Sequence, residues 1–286
     1  MKNKSIYITT IEPNSGKSLV SLGILRMMLT KSSKVGYFRP IIHKKNKSAL
    51  DNHIQTAIEF FNLDCSHEDC YAFDQSDVIE HLSEGKFDEV IHSIIDKYKR
   101  LEAKYDYVLV EGSDFSGKGG FTELDVNLAI AKNLGVPVLI VGSGNNKTKK
   151  EFVNTLQLIY KEFIEKEVDV IGIIANKTKK DEVDFIKKTL SKVIPKTVQI
   201  DVIPKNSFLA NPSVREVSEA LKGKILFGEQ FLDNSIGSFS SGAMQLRNYL
   251  TRIKNNSLVI TPGDRADIIL GALQANASKN YPKIAG

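Results

Sequence analysis

The sequence predicts an α/β protein: a mostly parallel sheet with helices on both faces, followed by a small α/β fragment at the carboxyl end. Three observations carry this. Short apolar, β-branched runs recur along the first two thirds of the chain. Stretches with apolar residues at helical spacing separate them. The runs are continuously apolar rather than alternating, as expected of parallel strands buried on both sides.

The elements follow in order. Residues 5–10 (Ser-Ile-Tyr-Ile-Thr-Thr) read as a strand, and 18–30 as the helix after it. A second strand covers 35–40. Ile54, Ala57, Ile58 and Phe61 share a helical face, which predicts a helix over 51–61. A long amphipathic helix over 87–101 leads into a buried strand over 105–111. Helices are then expected at 127–134, 150–163, 181–190 and 214–221, with strands at 137–142, 168–176 and 197–203. Strands joined through helices imply right-handed crossovers. Ligands of such sheets bind at the carboxyl ends of the strands.

The first junction is the most informative. The strand over 5–10 enters a polar loop, and Gly16-Lys17-Ser18 opens a helix. Strand, loop and helix N-terminus are the setting of a phosphate-binding loop. Unpaired N–H groups and the positive end of the helix dipole favour an anion there. Asn14, Ser15 and Gly16 would offer backbone to a phosphate. Lys17 would reach the outer phosphates, and the Ser18 hydroxyl would ligate magnesium. The glycine that usually opens such a loop is replaced by Thr10 or Ile11, depending on spacing, which narrows the backbone approach. The other strand ends carry Arg39-Pro40, Glu111-Gly112-Ser113, Gly142-Ser143-Gly144, Asn176-Lys177 and Pro204, all at the same edge.

Composition bounds the rest. The 286 residues are 42% hydrophobic and 26% charged, enough for a sizeable core in one large or two modest domains. A net charge of +5, with small lysine clusters (44–45, 147–150, 177–180) and no interleaved aromatics, argues against nucleic acid as a partner. No apolar stretch is long enough for a membrane span and no signal peptide opens the chain, so a cytoplasmic protein without a membrane partner is expected. Cys65 and Cys70 read as buried or idle thiols in a reducing compartment. His43, His53, His67, His81 and His92 have no shared spacing and read as surface or packing residues, so no Ser-His-Asp or Cys-His constellation is expected. Glu111 is a strand-end carboxylate suited to a metal or an ion pair. Asp51 reads as a helix N-cap or a metal ligand.

The chain divides at about residue 222. Residues 1–222 hold the alternating elements; 223–286 form a linker and a partial second domain. Residues 223–242 are rich in Gly, Ser and Asn and leave room for a short strand. A helix is expected at 242–254, a strand at 258–261 and a helix at 266–277. That is too little for an independent core. Its apolar residues should pack on the first domain, on a second copy of the chain or on a further part of a longer protein; self-association, most simply as a two-fold dimer, is expected, which predicts a homo-oligomer.

The Thr10–Ser18 loop, Arg39-Pro40, Val110-Glu111-Gly112 and Asn176-Lys177 together resemble the dethiobiotin synthetase-like branch of P-loop NTPase-like proteins. That resemblance implies ATP or a related nucleotide with magnesium. The phosphates would lie on Lys17 and Ser18, the metal on Ser18, Asp51 and Glu111, with Arg39 in the site and Asn176 on the adenine. Gly119-Gly120 follows Glu111-Gly112 only after an insertion-like stretch. A narrower resemblance covers the whole chain. Tyr37-Phe-Arg-Pro-Ile41, Val110-Glu-Gly-Ser-Asp-Phe115, Pro212-Ser-Val-Arg-Glu-Val217, Val259-Ile-Thr-Pro-Gly-Asp-Arg265 and Ala266-Asp-Ile-Ile-Leu-Gly-Ala272 look like the N-terminal part of long-form bacterial phosphate acetyltransferases. There a dethiobiotin synthetase-like domain precedes a small domain with an Asp-Arg signature. The resemblance implies a regulatory or structural region that binds a nucleotide or another small-molecule effector. Its partner would be a C-terminal catalytic domain outside this chain, so acetyl transfer by the chain alone is not expected. The alternative is a stand-alone ATP-dependent ligase or amidotransferase of the dethiobiotin synthetase or cobyrinic acid a,c-diamide synthase type.

Overall fold

A computed structural model describes residues 5–10, 12–43, 50–113, 123–206, 209 and 211–286. Ile11, Lys44, Lys45, Asp114, Phe115 and the Gly119-Gly120 pair lie outside the described residues. The chain forms two compact units, Met1–Lys205 and Asn206–Gly286.

The first unit is built on a six-stranded parallel sheet. β1 (Ser5–Thr10) lies between β5 (Tyr107–Glu111) and β6 (Val138–Ser143). β2 (Val35–Phe38) pairs with β5, and β7 (Val170–Thr178) and β8 (Gln199–Pro204) extend the other side, giving the order β2-β5-β1-β6-β7-β8. The continuous apolar runs now have a physical reason. Tyr7, Val108, Val110, Val138 and Ile140 enter one buried cluster, while Ile8, Leu109, Leu139 and Val141 enter another. Alternate side chains leave a strand on opposite faces, so covering both faces makes every position apolar.

Helices cover both faces. α4 (Phe87–Lys104) buries Val90, Ile91, Ile94, Tyr98 and Leu101, and α6 (Lys149–Glu165) buries Phe152, Val153, Leu156, Ile159 and Phe163. α5 (Glu123–Leu134) and α7 (Val183–Val193) contribute Ile130, Ala131, Ile186 and Leu190 to the same cluster. The opposite face takes Leu25 from α1 (Lys17–Leu29) and Ile54 and Ala57 from α2 (Asn52–Phe61). Each buried Val, Leu, Ile or Phe among these contributes about 1.5–3 kcal/mol. The ends are capped as their residue types require: Asp51 accepts the backbone N–H of His53 and Ile54 at 3.0 and 3.1 Å, and Thr148 and Glu151 form a capping box on α6.

Residues 62–86, to which the sequence assigns no element, contain β4 (Phe73–Asp74) and α3 (Gln75–Ser83); β4 pairs with β3 (Ile41–Ile42) in parallel. Two-residue strands show no period, and α3 buries only Gln75 and Val78, so neither leaves a readable stripe.

The second unit contains α8 (Val214–Ala220), β9 (Ser238–Ser241), α9 (Leu246–Leu250), β10 (Ser257–Ile260) and α10 (Ala266–Ala277). β9 and β10 pair in parallel. The expectation that this unit lacks a core of its own is corrected: Tyr249, Ile253, Ile268, Ala272 and Ala275 are buried together, with Met244, Leu246, Leu250, Val259 and Ile284 packed against them. The helix expected over 242–254 is cut to Leu246–Leu250. The Gly242 N–H bonds to the Ile260 carbonyl at 2.8 Å, and Arg265 donates to the carbonyls of Ala243 and Met244 at 3.2 and 2.8 Å. Those bonds hold residues 242–244 outside the helix. Arg265 is bonded through its Nε to Asp267 at 2.8 Å. Leu226, Phe227, Phe231, Phe239, Leu270 and Leu273 are exposed. Among the described residues no helix is long and apolar enough to cross a membrane.

Candidate functional site

The loop after β1 is braced from behind. Asn14 has φ 57° and Gly16 φ 87°, both left-handed. Gly16 precedes α1 and has no side chain to cap the helix, which leaves its first-turn N–H groups without an N-cap oxygen from that residue. Asn176 Nδ2 donates to the Ser15 carbonyl at 2.8 Å, its Oδ1 accepts the Lys177 N–H at 2.9 Å, and Lys177 Nζ donates to the Asn14 carbonyl at 2.6 Å. The Glu12 carboxylate accepts the Ser143 N–H at 3.0 Å and Lys147 Nζ at 2.5 Å. The ends of β6 and β7 thus hold the loop. Only glycine fits at position 16: a Cβ there would lie 2.4 Å from Asn176 Nδ2. Ser15 is buried and its hydroxyl accepts the Lys17 N–H at 3.3 Å.

A buried charge cluster stands beside the loop. The Lys17 ammonium donates to the Gly112 carbonyl just past β5. Ser18 Oγ and Glu111 Oε1 each lie 3.0 Å from His53 Nδ1. Glu111 Oε2 accepts the Tyr37 hydroxyl at 3.0 Å, and Arg39 Nε is 4.0 Å from Oε1. Arg39 Nη1 donates to both Asp51 oxygens, at 3.1 and 2.9 Å. Lys17, Arg39, Asp51 and Glu111 are all at most 5% exposed. Burial alone would raise the Glu111 carboxyl, but the hydrogen bond with His53 and the charges of Lys17 and Arg39 outweigh it and hold the group at about 2. Tyr37 is pushed well above the usual phenol range by burial and by the Glu111 carboxylate. Glu111 is therefore an anion and Tyr37 a neutral donor throughout the physiological range.

The structure brings Lys17, Ser18, Arg39, Asp51 and Glu111 into one network with the loop. Asn176 reaches the loop from behind, bonded to its backbone. Asp51 is engaged by Arg39 and by the N-terminus of α2. The reading of all five histidines as surface or packing residues is corrected at two of them. His53 bridges Ser18 and Glu111, and His67 Nε2 accepts the Asp51 N–H at 2.8 Å. His53 sits two residues into the helix that Asp51 caps, so its position was implicit in the Asp51 cap; only the tertiary fold places its ring on Glu111, at the end of β5. Ser113 and Asn127 form a second buried network missed in the sequence. Asn127 Oδ1 accepts the Tyr7 hydroxyl at 2.7 Å and the Ser113 N–H at 2.9 Å, which fixes the backbone around Gly112.

Magnesium requires oxygen ligands at about 2.0–2.1 Å in octahedral array. Here an imidazole nitrogen occupies the space between Ser18 Oγ and Glu111 Oε1, and Asp51 is paired with Arg39. Among the described residues no group of three or more His, Cys, Asp or Glu is arranged to hold a metal. The donor set in this arrangement does not fit magnesium.

The family model described as AAA domain matches residues 4–213, and the one described as DRTGG domain matches residues 216–284. The chain belongs to the AAA-domain family. This AAA-domain chain is 37% identical to the phosphate acetyltransferase of Nitratidesulfovibrio vulgaris and 34% identical to that of Synechocystis, in each case over 99% of its own length and 41% of the relative. It therefore spans about two fifths of the curated relatives it matches. Among solved structures, a Cyanothece McdA–ATP complex aligns with a TM-score of 0.46 at 17% identity, covering 79% of this chain and 99% of that one.

Proposed function

We propose that this chain is the N-terminal regulatory region of a phosphate acetyltransferase, and that the loop over residues 12–18 takes the phosphates of a nucleotide. One observation carries the reading: a braced loop delivers a helix N-terminus, opened by Gly16 with no N-cap side chain, beside a buried lysine, Lys17. Backbone N–H groups, the helix dipole and an ammonium converge where an anion would sit. On binding, Lys17 would exchange the Gly112 carbonyl for a phosphate oxygen, and Ser18 and His53 would border the site. Glu111 would stay ionised beneath them and orient His53 and Tyr37. Acetyl transfer between coenzyme A and phosphate would reside in the part of the relatives that this chain does not cover. The proposed coupling runs from the loop to that catalytic part.

Calorimetry with ATP, with and without magnesium, on wild type and Lys17→Ala tests the site. Weakening by about tenfold or more in the variant, roughly 1.4 kcal/mol, is expected. Equal affinity in both proteins, or no binding by wild type, overturns it. The regulatory half is read in the longer protein, by following acetyl-CoA formation from acetyl phosphate with and without ATP. A Lys17→Ala form that responds to ATP as wild type does would refute the coupling.

A further inference from the structure

We propose that Cys65 and Cys70 are a covalent modification site, closing to a reversible disulfide when they meet a hydroperoxide. The two sulfurs are already in contact. Cys70 Sγ donates to Cys65 Sγ at 3.3 Å. A disulfide is about 2.05 Å long, which leaves roughly 1 Å of approach. The turn between them is held in shape. The Cys70 N–H bonds to the His67 carbonyl at 3.1 Å, and Ser66 Oγ donates to Asp69 Oδ2 at 2.8 Å. The segment is also tied down from α4 and its end: Lys97 Nζ donates to the Glu68 carbonyl at 2.6 Å, Lys104 Nζ to the Asp64 carbonyl at 3.0 Å, and the Tyr105 hydroxyl to that same carbonyl.

The two sulfurs are unequal. Cys65 is partly exposed and Cys70 fully buried. The hydrogen bond from Cys70, aided by Lys104, lowers the Cys65 thiol despite its burial, while the same bond and burial push Cys70 up. Cys65 is then the attacking thiolate and Cys70 the resolving thiol. The Cys65 sulfur attacks one peroxide oxygen. The O–O bond breaks, the leaving hydroxide takes a proton, and Cys65 becomes a sulfenic acid. The Cys70 sulfur next attacks the Cys65 sulfur. The S–S bond forms, the S–OH bond breaks, and hydroxide leaves as water with the Cys70 proton. Overall, two thiols and one hydrogen peroxide give one disulfide and two waters. A dithiol reductant reverses the bond by exchange.

The turn is joined to the candidate site by two bonds. The Arg39 N–H donates to the Cys70 carbonyl at 2.7 Å, and the Asp51 N–H to His67 Nε2 at 2.8 Å. Closing the disulfide therefore acts on the backbone that carries the Arg39–Asp51 pair. Disulfide formation itself is independent of what the loop binds.

The test uses the full chain with stoichiometric hydrogen peroxide. Expected are loss of both free thiols, a mass lower by two hydrogens, a 65–70 linkage in peptide maps, and recovery with dithiothreitol. In Cys70→Ser, oxidation should stop at a sulfenic acid trapped by dimedone on Cys65. In Cys65→Ser, peroxide consumption should slow by about tenfold or more, as expected when the thiolate is lost. Two free thiols after treatment of wild type, or only linkages between chains, would overturn the proposal.

Discussion

Replacing Glu111 by Gln removes a buried charge and keeps the shape of the side chain. Glu111 is 1% exposed and touches His53 and Tyr37, with Lys17 and Arg39 nearby. Its carboxyl is held at about 2, against an ordinary value of 4.5. That difference corresponds to about 3 kcal/mol of folded-state stability at neutral pH. Because the folded value is the lower one, the contribution is complete above pH 4.5 and is lost as pH falls through the window down to about 2. Glutamine does not titrate, so Glu111→Gln should be less stable by about 3 kcal/mol at neutral pH. The gap between the two proteins should close as pH falls from 4.5 toward 2. Urea unfolding followed by circular dichroism at several pH values in that range gives both curves. A gap that stays constant with pH, or widens in acid, would show that the surrounding cations do not hold the charge.

Gly16→Ala forces a left-handed residue and drives a Cβ to 2.4 Å from Asn176 Nδ2, so a loss of about 1–2 kcal/mol or more is expected in thermal unfolding. Gly23, inside α1 with open space around it, is the control: Gly23→Ala should gain about 0.5–1 kcal/mol. Losses of similar size at both positions would sink the argument from loop geometry. The exposed Leu226, Phe227, Phe231, Phe239, Leu270 and Leu273 predict self-association of the chain, most simply as a two-fold dimer. Light scattering that finds a monomer at high concentration would refute it.

Much of the first unit was legible because its signals are local. An apolar run such as Tyr107–Glu111 and the helical stripe Ile54, Ala57, Phe61 declare their period within a few residues. The Gly16-Lys17-Ser18 junction likewise announces a polar turn that opens a helix, since backbone conformation and helix start are set by neighbours in sequence. The rest depended on residues distant in the chain. His53 carries no local pattern, and it gained a role only because the fold sets its ring between Ser18 and Glu111, 35 and 58 residues away in the chain. Asn176 was legible as a strand-end residue, but its bond to the Ser15 carbonyl arises from the side-by-side order of β1, β6 and β7. Arg265 shows the same division in the second unit. Its position near a turn was readable, whereas its hold on Ala243 and Met244, which shortens α9, required the parallel pairing of β9 and β10 to bring those carbonyls to it. Sequence by itself determined most of the elements of the main sheet, the loop and which residues carry charge to the sheet edge, because those follow from local period and local backbone. Which charge meets which, and which donor occupies the space a cation would need, was decided only by the tertiary structure, because hydrogen bonds and ion pairs depend on distances that sequence separation does not encode.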